Sequence, residues 1–445
     1  MTNRNSLPFA ETVAWLQGVD LADHAAVEDK ARLLLLDTIA CAVAGMVEPE
    51  LKALGQGLQK TASGSVQWPA GPALVPASAA FLSAVSACWH EACEGLARAH
   101  GRPGLHAIPV AVSLGLANGA TLRDVLEAIV YGYEIGGRAG EAMRIRGGLH
   151  VDGTWGVFAA VAAAARLQKC DAATTIQALA IAACQITTSL YAPITAGRTA
   201  RNTYVGHAAS WALHAVESAA AGITAPDTVF EQAAQALGEG AKATSWPWAD
   251  AGEFLILQSY LKPFAAVRHV HYSAACALQR FAAKADATVD ITAITLHTYP
   301  EALTYCGNRN ARTAIQAQFS LTHGTVFALR NGSLGPEAYA PSVFQDPEHA
   351  RLEKLISLVP DHSIANRGAR LSVVTRSGTE EYAVSSVLGD PDLPLSQADV
   401  ATKAKAYMSS VIDAAQAQGI IDYVLNGKLD APFTLPRGKS SPQVN

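Results

Sequence analysis

The run AAVAAAARL (159–167) and its neighbour ALAIAACQ (178–185) constrain the fold more than any other feature of the chain. Alanine is the best helix former, and its side chain is too small to fill the space between two sheets, so such runs belong to closely packed helices. The same period continues on both sides. DKARLLLLDTIACAVAG closes on Gly45 as a helix stop, and TLRDVLEAIVYGYEIGGRAGEAM opens at Thr121 as an N-cap. Beyond HYSAACALQRFAAKA the pattern changes: ITAITLHTY, ARLSVVTRSG and EEYAVSSV alternate and are rich in β-branched residues. The expected fold is therefore mainly α with a smaller α+β domain. Its parts are a helical domain over 1–268, an α+β domain over 269–402, and C-terminal helices over 403–445 that return to the helical domain. At 445 residues, two domains are the default. The polar tail TLPRGKSSPQVN should be mobile.

A net charge of −5 without any Lys/Arg run excludes the electrostatic footprint of a nucleic-acid or anionic-membrane binder. The seven cysteines form no CxxC pair, and there is no HExxH, so neither a disulfide framework nor a metal site is expected. No apolar run reaches the ~18–20 residues that span a bilayer, and MTNRNSLPFAE has no leader pattern, which points to a cytoplasmic protein. GxGxxG, Walker and GxSxG motifs are also missing.

Four segments hold candidate chemistry. RGGLHVDGTWGVF places His150 just outside a helix start, where free N–H groups attract carboxylates, with Asp152 or Thr154 as the cap. GRTARNTYVGHAA spaces Arg198, Arg201, Tyr204 and His207 three apart, near one face of a helix at its positive end. LKPFAAVRHVHY puts Lys262 before a proline, in extended chain, followed by Arg268, His269 and His271; the last two share a face only in a strand. GNRNARTAIQAQFSLTHGTVFAL adds Arg309, Arg312 and His323. Each segment also reads as a capped helix start or hinge whose charges are solvated.

In this order, these segments resemble the MmgE/PrpD family, which includes 2-methylcitrate dehydratase, cis-aconitate decarboxylase and iminodisuccinate epimerase. The resemblance rests on ARLLLLDTIACAVAG (31–45), EAIVYGYEIGGRAG (127–140), LHVDGTWGVFAAVAAAARL (149–167), GRTARNTYVGHAA (197–209), LKPFAAVRHVHYS (261–273) and NRNARTAIQAQFSL (308–321). It implies a two-domain fold with the active site between the domains, a homodimer, and no organic cofactor. It also implies a small-molecule polycarboxylate as the substrate, and the charge pattern leaves neither nucleic acid nor membrane as an expected partner. The family's histidine before GTWG is His150, and the lysine of its Lys-Pro-Tyr/Phe motif is Lys262. Where many members have lysine, histidine and arginine, an ungapped reading gives Arg201, Tyr204 and His207, and His323 falls near a common tyrosine.

WHEACEGLARAHGRPGLHAIP (89–109) departs most. Many members carry Asp-Phe-Asp-Asp-Thr here, then His-Pro. Aligned on Pro103 and Pro109, this chain has Ala92 against the first aspartate, Glu94 and Gly95 against the next two, Leu96 against the threonine and Arg102 against the histidine. Arginine stays protonated and cannot donate to a departing hydroxyl. The resemblance then implies a cofactor-independent epimerase or racemase of an amino- or imino-polycarboxylate, most like iminodisuccinate epimerase. Lys262, His150 and Tyr204 would be catalytic, and Arg201, Arg268, Arg102, His106, His269 and His323 would bind substrate. Two other readings are a dehydratase or decarboxylase of a tricarboxylic acid and an inactive polycarboxylate-binding paralogue.

Overall fold

The computed structural model describes residues 9–226, 228–238, 250–284, 288, 290–364 and 366–436; the tail expected to be mobile lies outside them from residue 437 onward. Helices dominate the first part, where the central layer pairs Leu122–Ala142 with the alanine-rich Gly156–Leu167. Their backbones approach closely because the first helix offers glycines: a methyl group at Gly136 would lie 2.5 Å from Ala159 Cβ. Thr121 starts that helix as expected. Its Oγ1 accepts from Asp124 N at 3.1 Å, and the Asp124 carboxylate accepts from Thr121 N at 2.7 Å. Replacing Thr121 by alanine removes one of these two bonds, and the expected loss is about 1 kcal/mol of unfolding free energy in urea. A variant as stable as the parent would show that packing alone fixes this helix start.

The second part is built on a mixed four-stranded sheet in the order Ile356–Pro360, Ile291–Thr298, Ala369–Thr375, Gly378–Val384. The first pair is parallel and the others antiparallel, with buried Leu296 opposite Leu371 and Ile294 opposite Val373. Three of these strands match the alternating segments. The strand Ile356–Pro360 carries no comparable alternation signal, because it follows a charged helix directly. Arg268–Ala283 is a helix packed on this sheet, so the strand that would have aligned His269 with His271 does not form.

Two tertiary links position the cleft. Gly95–Leu96 pairs antiparallel with Ser259–Tyr260, which lays the 91–102 stretch beside Lys262. Gln397–Ser409 then packs on the helix Ala25–Gly45, where Lys403 Nζ donates to Asp37 Oδ1 (2.5 Å), Ala92 O (2.7 Å) and Lys262 O (2.8 Å). One buried ammonium thus ties together the backbones on both sides of that pairing. Among the described residues no helix is long and apolar enough to cross a membrane.

Candidate active site

Residues of both parts line a cleft with about 1030 Å³ of empty space, its open mouth included. Its inner wall is ionic. Glu91 follows the helix Pro76–Cys88 with φ +54°, a left-handed conformation that costs a non-glycine residue about 1–3 kcal/mol and persists where the surroundings enforce it. Here Lys262 Nζ donates both to Glu91 Oε1 (2.8 Å) and to Glu91 O (2.9 Å), so the strained turn presents two acceptors to one ammonium. Arg201 sits in the 3₁₀ turn Thr199–Asn202 and donates from Nη2 to Glu91 Oε2 at 2.6 Å, with its guanidinium over the Phe319 ring. Arg102, at the N-cap of Pro103–Asn118, pairs with Asp152 through a short Nη2 contact and lies 3.2 Å from Glu91 Oε2.

This network fixes the charges. Burial alone would raise the Glu91 carboxyl, but Arg102, Lys262 and Arg201 hold it well below the ordinary range. Asp152 is likewise depressed: burial opposes ionisation, and Arg102 foremost outweighs it. Burial pushes the Lys262 ammonium down against the pull of Glu91, and it keeps the Cys88 thiol protonated despite two arginines. Burial also lowers His150 to about 4, so the ring is neutral at physiological pH. Its Nδ1 accepts from the Asp152 N–H at 3.1 Å, which leaves the hydrogen on Nε2. His150 is therefore a neutral hydrogen-bond donor. Arg201 Nε and Arg268 Nε have no hydrogen-bond partner among the described residues, and Arg102 Nη1 meets Glu91 Oε2 only as an ion pair at 3.2 Å.

Of the residues singled out in the sequence, Lys262, His150, Arg201, Arg102, Arg268 and His269 line the cleft, and Tyr204, His106 and His323 do not. The Tyr204 hydroxyl donates to Leu190 O at 2.9 Å, and its ring lies 6.3 Å from that of His150. His106 is fully buried, with both ring nitrogens engaged: Nδ1 bonds Arg102 O at 2.9 Å, and Nε2 accepts from Gly153 N at 3.0 Å. It holds the loop at Gly153 and does not line the cleft. His323 lies in the sheet-containing part, where Nε2 bonds Ala338 O at 2.9 Å and Nδ1 meets His349 Nε2 at 3.1 Å. With Glu353 these two histidines are the one group among the described residues whose ligand atoms could converge on a metal ion; they already form a hydrogen-bonded chain outside the cleft. Arg268 reaches the cleft neutralised by a short contact to Asp390, and it bonds His271 Nδ1 at 3.1 Å. Glu94, the carboxylate nearest the aligned aspartates, accepts from Leu105 N (3.0 Å) and Tyr133 OH (3.1 Å) behind the wall, and burial raises it to about 7.

Sequence reasoning missed Glu91, Asp152 and Arg367. The sequence offers Asp152 or Thr154 as the helix cap, yet Gly156–Leu167 begins after Trp155 with no side-chain cap, and the Asp152 carboxylate turns to Arg102. Gly153, at φ +78°, permits that turn. Two residues after His150 in a glycine-rich loop was the available signal. Residues 9–240 match the MmgE/PrpD N-terminal domain, and residues 264–427 match the MmgE/PrpD C-terminal domain. No curated protein matches the chain.

Proposed function

The chain belongs to the MmgE/PrpD family of enzymes, and from that premise we propose that it epimerises or racemises an amino- or imino-polycarboxylate, as iminodisuccinate epimerase does. The observation that carries this reading is Arg102 inside the wall, ion-paired to Glu91 and Asp152, where a proton donor for a departing hydroxyl would be needed. Both carboxylates are held ionised, the guanidinium does not deprotonate and His150 is neutral, which leaves the Lys262 ammonium as the acid of this wall, and epimerisation needs it only to return a proton to carbon. Three cations (Arg102, Arg201, Lys262) face two carboxylates, a surplus of one positive charge beside the unpartnered Arg201 Nε. A substrate carboxylate fits that surplus.

In this reading His269 is the base: burial first, and then the charge of Arg367, lower it to about 3, and a bound substrate carboxylate raises its proton affinity by offsetting that positive charge. Its Nδ1 bonds the Tyr299 hydroxyl at 2.6 Å, and its Nε2 has no partner among the described residues. It takes the proton α to the anchored carboxylate as the C–H electron pair moves into that carboxylate. Lys262, whose lowered pKa eases proton release, returns a proton to the opposite face, and the two exchange roles in the reverse direction. The arginines and His150 Nε2–H stabilise the charge on the carboxylate oxygens meanwhile.

Incubating the purified protein with iminodisuccinate in D2O and following the proton spectrum tests this. Epimerisation replaces the α-hydrogen by deuterium with inversion. An alkene or CO2 from 2-methylcitrate or cis-aconitate, at ~1 s⁻¹ or faster, would replace the reading by a lyase. Binding without any turnover would make the chain an inactive relative.

A further inference from the structure

Resting on the polycarboxylate reading above, we infer that Arg367, on the turn between strands Ile356–Pro360 and Ala369–Thr375, binds a second substrate carboxylate in the cleft that Lys262 also lines and so selects substrates with at least two carboxylates. The other cations of the cleft are largely spoken for. Arg102, Arg201 and Lys262 share Glu91 and Asp152, and Arg268 is held by Asp390. Arg367 lines the same cleft, half-buried, and makes no ion pair or hydrogen bond among the described residues. The Glu301 carboxylate bears on it electrostatically, but it also lines the cleft, lies 3.9 Å from His100 Nδ1 and forms no ion pair with the Arg367 guanidinium. Arg144, the other unpaired arginine of the lining, is exposed at the mouth, and its charge and that of Arg367 both reach His100. The tyrosines around Arg367, Tyr260, Tyr272 and Tyr299, leave it in partly apolar surroundings, where an arginine–carboxylate pair gains most over water.

The cleft thus offers two positive receptor points on different elements: the one-charge surplus of the inner wall and Arg367. A single carboxylate satisfies only the first. The reacting carbon then lies next to the inner carboxylate, between His269 and Lys262, and the outer carboxylate fixes its orientation without joining the chemistry.

Succinate and propionate differ by one carboxylate and serve as probes, titrated by NMR into the wild type, Arg367→Met and Arg367→Lys. The wild type should prefer succinate by about 10-fold or more, as expected for one charge-assisted pair. Arg367→Met should lose that preference while binding propionate as before, and the lysine variant should recover part of it. A preserved preference in Arg367→Met, or an equal loss for both probes, overturns the assignment of Arg367 alone. A wild type indifferent to the second carboxylate overturns the polycarboxylate reading as well. Arg367 sits on a turn away from the buried core, and circular dichroism of each variant separates lost binding from lost fold.

Discussion

Lys262→Met is expected to lower kcat at least about 100-fold, the lower end for removal of a general acid–base group. The side chain is 1% exposed, and its ammonium is anchored to two acceptors on Glu91, so it cannot swing away to be replaced by solvent. Methionine keeps the length of the buried stem and removes only the proton carrier. Arg102 and Arg201 remain to neutralise Glu91, so the wall should persist. Lys262→Arg separates two explanations of the loss. It restores the positive charge and cannot give up a proton at neutral pH. If Lys262 carries the proton, the arginine variant stays as slow as the methionine variant. Recovery to within a few-fold of wild type would reduce Lys262 to a counterion for Glu91. Deuterium incorporation at the α-carbon, scored alongside turnover, shows which variants still break the C–H bond.

Fold class was legible because two periods in the chain are unambiguous: alanine-rich helical runs before about residue 270 and three alternating segments after it. The strand Ile356–Pro360 was not, since ISLVP directly continues the charged helix Pro347–Leu355 and has too few residues to show a period of two. In the candidate site, Lys262 and His150 were legible from their motifs, and Arg102 from its place before Pro103. Glu91 was not. Its role depends on a left-handed turn at a residue that sequence patterns give no reason to place there, and on the pairing of Gly95–Leu96 with a strand more than 150 residues away. Tyr204 and His106 show the opposite failure. Helical spacing puts Tyr204 near Arg201, but Arg201 belongs to the 3₁₀ turn before the helix, and the Tyr204 hydroxyl is taken by Leu190 O. His106 lies on the first turn of Pro103–Asn118, where the carbonyl of Arg102 and the amide of Gly153 claim both nitrogens. Arg367 is a lone arginine in a polar loop, and only the fold brings it to the cleft.

Asp152→Asn should lower the unfolding free energy by about 3–5 kcal/mol at pH 7, the range for breaking a buried ion pair by removing one partner. Asp152 is fully buried and carries one of the two negative charges that compensate Arg102, Arg201 and Lys262. Asparagine keeps the shape and one acceptor oxygen but loses the charge and points its NH₂ group at guanidinium donors, so Arg102, Arg201 and Lys262 are left with Glu91 as their one carboxylate in the wall. By contrast Glu348→Gln, at the exposed pair with Arg351, should shift stability by less than ~1 kcal/mol. The pH dependence has a definite sign. The folded-state pKa of Asp152 is depressed, so its stabilising contribution is complete above the unfolded value of about 3.9 and is lost as pH falls below it. The variant has no such contribution to lose. Urea unfolding of both proteins from pH 7 downward should therefore show the stability gap narrowing once the pH drops below about 4. A gap near zero at pH 7 would mean that the arginines find water or Glu91 as sufficient replacement, and that the inner wall tolerates its excess of positive charge without Asp152.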